Sequence, residues 1–441
     1  MFKTDTFRGG IHPLRRIHEG KRETEEKAIR VLPPPSQIII PLSQSAGTTC
    51  EPLVKKGDRV LLGQAIGEPR GFVGAPVHSS ISGKVTAIEQ RELSGGVFCQ
   101  CVIIENDGLD EKAPELEPVP VTAQPQVIID RVRAAGLVGM GGAAFPTHIK
   151  LAPPKEKPVD TVLINGAECE PYLSSDHRVM LENGQKVIDG LKYAMRALGA
   201  EHGVIAVEKN KPLAIAQLQK LAQGESSIVV CPLKVKYPQG SEKQLIQAAV
   251  SRQVPSGGLP ADAGCVVINA STSAAIADAM QKGIPLYERV VTVAGAVASP
   301  DNLLVRIGTP ISALLEACGG LTAGAERVLS GGPMMGIALF NLEVPIVKAT
   351  SGILALTQKQ TDPGPSTACI HCGRCAQSCP IRLMPMKLHE AGKRQDWPAA
   401  AELHALDCVE CGACSYACPA KIELLTGIRI TKRTLLAQRK R

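Results

Sequence analysis

Cysteine spacing constrains this chain more than any other feature. Cys369-Ile-His-Cys372-Gly-Arg-Cys375-Ala-Gln-Ser-Cys379-Pro380 spells C-x2-C-x2-C-x3-C-P, and the same spacing returns at Cys408, Cys411, Cys414, Cys418 and Pro419. Each triplet can wrap three irons of a cubane with backbone N–H groups turned toward the sulfides. The distant fourth cysteine ligates the other cluster in two-cluster ferredoxins. The spacing therefore predicts two [4Fe–4S] clusters, one held by Cys369, Cys372, Cys375 and Cys418, the other by Cys408, Cys411, Cys414 and Cys379. A pair of zinc knuckles needs four ligands per site and does not explain a third cysteine plus x3-C-P, twice. Seven further cysteines (Cys50, Cys99, Cys101, Cys169, Cys231, Cys265, Cys318) are scattered. They read mostly as small buried hydrophobes, with Cys99 and Cys101 on one face if that segment is a strand.

The 441 residues suggest about three domains. Charged residues are 21% and hydrophobic ones 44%, which excludes a mainly disordered chain. Aromatics are only 3%, which argues against base-stacking nucleic-acid platforms. The net charge of +7 is a mild excess that names no partner. No apolar run is long enough for a membrane-spanning helix. Met1-Phe2-Lys3-Thr4-Asp5 opens no export signal. An intracellular, reducing location is expected, where metal binding is the ordinary use of clustered cysteines.

Residues 1–35 read as a polar arm and linker ending in Pro33-Pro34-Pro35. Residues 36–106 form short β-rich runs, Ile38–Ile40, Val60–Leu62, Lys84–Ile88 and Val102–Ile104, broken by Gly and Pro. Residues 107–125, acidic then proline-rich, read as a second linker. From 126 to 285 helices alternate with strands at Thr161–Ile164, Val204–Val207 and Ile228–Val230, as in a layered α/β domain. Residues 288–340 suggest a β-grasp module whose helix opens with Thr309 as N-cap and stops at Gly319-Gly320. The cysteine domain spans 363–425. Its intervening segment Ile381–Asp407 reads as helical, so it resembles the helical ferredoxin modules of larger oxidoreductases. A basic tail, 426–441, ends in Arg439-Lys440-Arg441 and is read as a solvated helix end or a contact for anionic lipid or partner subunits.

A one-electron wire needs a cofactor able to split an electron pair. Gly136-Leu-Val-Gly139-Met-Gly141-Gly142-Ala143-Ala144-Phe145-Pro146 contains G-x-G-x-x-A, yet a helix precedes it where a Rossmann site has a strand. Downstream come Asn165-Gly166-Ala167-Glu168-Cys169-Glu170-Pro171 at a strand end, then Tyr237-Pro238-Gln239-Gly240-Ser241-Glu242 opening a helix. In this order the elements resemble the FMN and NADH site of the complex I flavoprotein. The resemblance implies Gly139, Gly141, Gly142 and Lys150 beside FMN, with Asn165 and Glu168 at its ribityl or ring edge. Tyr237, Gly240, Glu242 and Asn269 would complete the pocket, Phe145 would stack on the dinucleotide, and Glu170 would contact it. Ala167 and Ser241 depart from that family, which has Asp and Glu there.

Gly57 with Gly63, then Ile81-Ser-Gly83-Lys84, resembles the half-motifs of biotinyl and lipoyl carriers. No lysine lies between Gly57 and Gly83, so a barrel-sandwich hybrid used as scaffold is expected. End to end, Phe7-Arg-Gly-Gly-Ile-His12-Pro13, Pro41-Leu-Ser-Gln-Ser, Gly71–His78, Ser330-Gly-Gly-Pro-Met-Met-Gly336 and the paired cysteine motifs resemble the RnfC proteins of the Rnf/Rsx ion-translocating electron-transport complexes. His12 and His78 in these signatures read as turn or core residues. The resemblance implies a multidomain α/β and α+β protein: barrel-sandwich hybrid, flavoprotein-like FMN domain, β-grasp (SLBB) module and two-cluster ferredoxin domain. It implies a peripheral component on the cytoplasmic face of the bacterial inner membrane. There it would oxidise NADH at FMN and exchange electrons with the membrane and iron–sulfur subunits of the complex. Two other readings stay open, a soluble flavoprotein reductase of the cobalamin-reductase type and a flavin-free iron–sulfur adaptor.

Overall fold

The computed structural model describes residues 5–12, 20–362 and 364–439, without the side chain of Arg439. Pro13 of the first signature, Pro363 at the start of the cysteine domain and the basic pair Lys440-Arg441 lie outside the described residues.

Alternating aliphatic residues after Ser36 build two small sheets. Gln37–Pro41, Val97–Asn106, Gly83–Leu93 and Arg59–Val60 form one in that order; Cys50–Pro52, Ala65–Pro69 and Val77–His78 form the other. Ile38, Ile40, Val85, Val102 and Ile104 are fully buried between them, and the intervening Ile39 and Ile103 are buried as well, so these segments are covered on both faces. The hairpin Gly83–Leu93/Val97–Asn106 runs well past the predicted strands, because its outer half has few buried side chains to mark it. Cys99 and Cys101 do share a face, with their sulfurs 3.8 Å apart.

The α/β domain is a parallel sheet in the order Ile228–Leu233, His202–Glu208, Thr161–Gly166, Cys265–Asn269. Its strands are continuous apolar runs, as required when both faces are covered. Val162, Ile164, Ile205, Val207, Val266 and Ile268 face helices Pro125–Ala134, Gly184–Leu198, Pro212–Leu221 and Ala270–Gln281. Leu163, Val204, Ala206 and Val267 face helix Glu242–Val250 on the other side. The first core also takes in Ile38, Ile40, Val85 and Ile104, so the β module and the α/β domain share one apolar interior.

A strand outside the 288–340 stretch completes the third module. Gly352–Thr357 lies parallel to Glu288–Gly295 and antiparallel to Ala325–Ser330, at the middle of a six-stranded sheet. The N-terminal arm is not a free linker, which corrects the sequence reading. Arg30–Val31 adds an edge strand beside Asp301–Arg306, Lys21 and Thr24 are buried, and Ile11 bridges to Tyr237. Its charged residues hide this because they are satisfied by distant groups. Residues 107–125 are also laid down on their neighbours: the Leu62 N–H donates to the Glu111 carbonyl at 2.8 Å, and the Val119 N–H to Met280 at 2.7 Å. The helix expected to open at Thr309 starts at Ile311, because Pro310 is extended and bridged to Pro345.

In the C-terminal domain helices Pro385–Lys393, Trp397–Glu402 and Leu424–Arg439 bury Leu388, Ala400, Leu424 and Ile428. Among the described residues no helix is long and apolar enough to cross a membrane.

Candidate functional site

In open parallel sheets ligands sit beyond the strands' carboxyl ends, where the strand order reverses. Here that reversal falls between Thr161–Gly166 and Cys265–Asn269, whose last paired residues are Asn165 and Asn269. The glycine loop lies over this point. A Cβ on Gly141 would meet the Asn269 side chain at 3.5 Å, and one on Gly142 would meet nothing within 4 Å. Gly142 has φ +123°, a conformation that side chains rarely adopt, so the loop presents bare backbone to an open cleft.

The loop is held from several sides. The Gly139 N–H donates to the Phe145 carbonyl at 2.9 Å, which closes it, and leaves Phe145 half-buried. The Met140 N–H donates to Thr272 Oγ1 at 2.9 Å. The Lys348 ammonium donates to the carbonyls of Pro76 (2.6 Å) and Gly136 (2.7 Å). Burial pulls that lysine down to about 7. At the strand ends Asn269 caps helix Ala270–Gln281 and donates to Asp176 at 2.6 Å. Asn165 Nδ2 donates to the Gly240 carbonyl at 2.7 Å, and its Oδ1 accepts from the Ala167 N–H. Lys150 pairs with Glu242 and donates to the Val267 carbonyl at 3.1 Å.

Glu168, Glu170 and Tyr237 face other partners. The Glu168 carboxylate accepts the N–H groups of Asp176 (2.7 Å) and His177 (3.2 Å), which caps the helix Ser175–Glu182. Burial raises the pKa of this carboxyl, with the Lys21 ammonium opposing. Buried Lys21 and Lys211 donate to the carbonyls of Glu168 (2.9 Å) and Ala167 (2.6 Å) and fix the segment that carries these groups. Glu170 Oε2 accepts the Met334 N–H at 3.1 Å, while Oε1 is buried with no hydrogen-bond partner among the described residues. Burial raises this carboxyl to about 7. Tyr237, which the resemblance counts among the pocket residues, turns its side chain toward the cysteine domain. The ring is buried among Ile11, Cys411 and Ala413, and its hydroxyl donates to the Cys411 carbonyl at 2.7 Å.

The cysteine quartets separate cleanly. Cys379, Cys408, Cys411 and Cys414 line one cavity; Cys369, Cys372, Cys375 and Cys418 line another. Each quartet thus mixes one triplet with the other repeat's fourth cysteine. Among the described residues no three His, Cys, Asp or Glu side chains converge as a single ion requires. A thiol-lined cavity suits a multi-iron cluster. The 379/408/411/414 cavity abuts the α/β domain: Tyr237 reaches Cys411, Gln244 donates to the Pro380 carbonyl, and the Gly10 N–H donates to Ser378. The other cavity faces outward, and Cys372 is exposed.

Sequence reasoning missed Lys21, Asp176, Thr272, Lys348 and Gln239, whose buried side-chain amide has no hydrogen-bond partner among the described residues. The bare glycine loop fits a polar, planar cofactor at the cleft. For most of these residues no local signal exists, because their partners lie more than a hundred residues away.

Four family models match the chain: the RnfC barrel sandwich hybrid domain over residues 5–109, the Nuo51 FMN-binding domain over 132–278, the SLBB domain over 290–338, and the 4Fe-4S dicluster domain over 368–422. The chain is 48% identical to the C component of the Na(+)-translocating ferredoxin:NAD(+) oxidoreductase complex of Acetobacterium woodii, covering 100% of this chain and 99% of that one. It is 45% identical to the proton-translocating counterpart of Clostridium ljungdahlii (97% and 93% covered). It is 41% identical to the C component of the ion-translocating oxidoreductase complex of Rhodobacter capsulatus (99% and 84%). Neither the cobalamin-reductase reading nor the flavin-free adaptor is favoured by these matches. With full-length identity of this order, the chain belongs to the RnfC family, the C components of ion-translocating ferredoxin:NAD(+) oxidoreductase (Rnf) complexes.

Proposed function

We propose that this chain is the NADH-handling component of an Rnf-type complex, exchanging electrons between NADH and partner subunits through FMN and two [4Fe–4S] clusters. FMN held at the cleft would supply a site able to take a hydride and give up single electrons, and clusters held by the quartets would carry those electrons one at a time. The observation that carries the reading is the Tyr237–Cys411 contact, which joins the cleft's own turn to the loop of one cysteine quartet.

The chain's residues would act by holding and positioning. Gly139, Gly141 and Gly142 would lay backbone against FMN, with Lys150 supplying positive charge beside it and Glu242 fixing that lysine. Asn165, Gly240 and Asn269 would bound the floor of the cleft at the strand ends. Phe145 would stack on the dinucleotide, and Glu170 would meet it from the Met334 loop. Glu168 would act chiefly by capping the helix Ser175–Glu182 beneath the site, a role its two N–H contacts support. Cys379, Cys408, Cys411 and Cys414 would hold the cluster nearer the flavin; Cys369, Cys372, Cys375 and Cys418 would hold the outer one. The chain would sit on the cytoplasmic face of the membrane as a peripheral component and leave ion translocation to its partners.

The deciding experiment is anaerobic absorbance of the purified protein before and after NADH, with extracted flavin and iron quantified. One FMN and about eight irons, both bleached by NADH, are expected. Iron without flavin, or flavin indifferent to NADH, rejects the reading.

A further inference from the structure

We propose that the rim of the outer quartet is a docking surface for a negatively charged protein domain that carries a one-electron redox centre. The proposal rests on the iron–sulfur reading above and adds where the wire meets its partner and what chemistry the partner presents.

Residues 364–441 hold 12 Lys and Arg against 6 Asp and Glu, whereas residues 1–363 balance 37 against 36. Nearly all the chain's excess positive charge is therefore on the cluster domain. Part of it is neutralised locally: Arg394 pairs with Glu390, and Arg429 and Lys432 pair with Glu410. Arg374, Arg382 and Lys387 are exposed and have no ion pair among the described residues. Lys387 lines the outer cavity itself, and Arg374 lies between Cys372 and Cys375 in sequence. Glu423, next to the cavity-lining Ile422, is the carboxylate nearest this rim in sequence.

Apolar groups stand within the same rim. Ile370 is 66% exposed and Met384 46%, and both line the cavity. Cys372 is the single exposed cysteine of the chain. Solvated aliphatic side chains sharing a cavity rim with a cation that has no ion pair among the described residues have the composition of a transient interface. The inner quartet offers no such surface, since Cys379, Cys411 and Cys414 are buried and its flank is covered by the α/β domain. Cations around an opening raise the encounter rate of an acidic partner and orient it. One electron would pass per encounter. The partner's centre is reduced as the outer cluster is oxidised, or the reverse, with no bond or proton transferred; NADH supplies electrons in the first direction.

The test uses the full chain with its flavin and iron content verified, and a soluble acidic two-[4Fe–4S] ferredoxin as probe. Affinity is measured by titration calorimetry from low to physiological ionic strength. We expect affinity to fall steeply with salt. It should weaken about tenfold or more in Arg374→Glu/Lys387→Glu, and stay unchanged in the control Lys55→Glu/Lys56→Glu on the β module. Equal affinity in all three proteins, equal loss in both variants, or no measurable binding overturns the proposal. So does binding to anionic-lipid vesicles that the Arg374→Glu/Lys387→Glu change abolishes, without ferredoxin binding, which assigns the patch to a membrane. Bleaching by NADH is recorded on the same samples. Its failure rejects the dehydrogenase reading and leaves the binding result standing on its own.

Discussion

Lys150 reaches from the end of the glycine loop to Glu242 and to the Val267 carbonyl, so one carboxylate sets where this cation lies. Glu242→Gln should weaken flavin retention roughly tenfold, about the 1.4 kcal/mol that one charge-assisted hydrogen bond supplies. Iron content should stay intact; an unchanged FMN stoichiometry would count against the mapped pocket. The pair is half-exposed, so the loss in global stability should stay under about 1 kcal/mol. Glu170 has a pH signature. Its folded pKa of about 7 lies above the ordinary 4.5, so the folded state holds the proton more tightly than the unfolded chain. Its contribution is fully present below pH 4.5 and is lost as pH rises through about 7. Glu170→Gln escapes that loss. Its melting temperature should gain on the natural protein by roughly 2–4 °C, the shift about 1 kcal/mol produces, between those limits. A gap constant across this range would show that the carboxyl titrates normally. Neither residue's setting is legible locally, because Val267 and Met334 are distant in sequence.

Elements with strong periodicity were readable. The strand Thr161–Gly166 falls within two residues of its expected span, since apolar spacing alone specifies a face to bury. Arg30–Val31 and Gly352–Thr357 were not assigned. The first is fully exposed in side-chain pattern, and the second is a short apolar run that becomes a central strand only between two partners from elsewhere. The cysteine repeats behave differently, because cluster chemistry demands a spacing whatever the element. Cys379 follows the first triplet yet lines a cavity with Cys408, Cys411 and Cys414. Cys379→Ala should therefore cost about four of about eight irons and alter the electron paramagnetic resonance signal of the inner cluster. Loss confined to the outer cluster would refute crossed ligation.

Across the whole molecule the modules are more entangled than their order in the chain suggests. The β module and the α/β domain share one apolar core, the N-terminal arm adds a strand to the third module, and Lys348 ties three regions together at the glycine loop. The sequence by itself determined the order of the barrel-sandwich, FMN-binding, SLBB and dicluster domains and the family, because these rest on short-range spacing and composition. Only the tertiary structure decided that Tyr237 bonds to the Cys411 carbonyl, that Glu168 caps a helix, and that Cys372 is exposed. Those outcomes depend on which distant surfaces bury one another. Burial chooses the partner of each polar group by where the chain has brought it, and no local pattern encodes that choice.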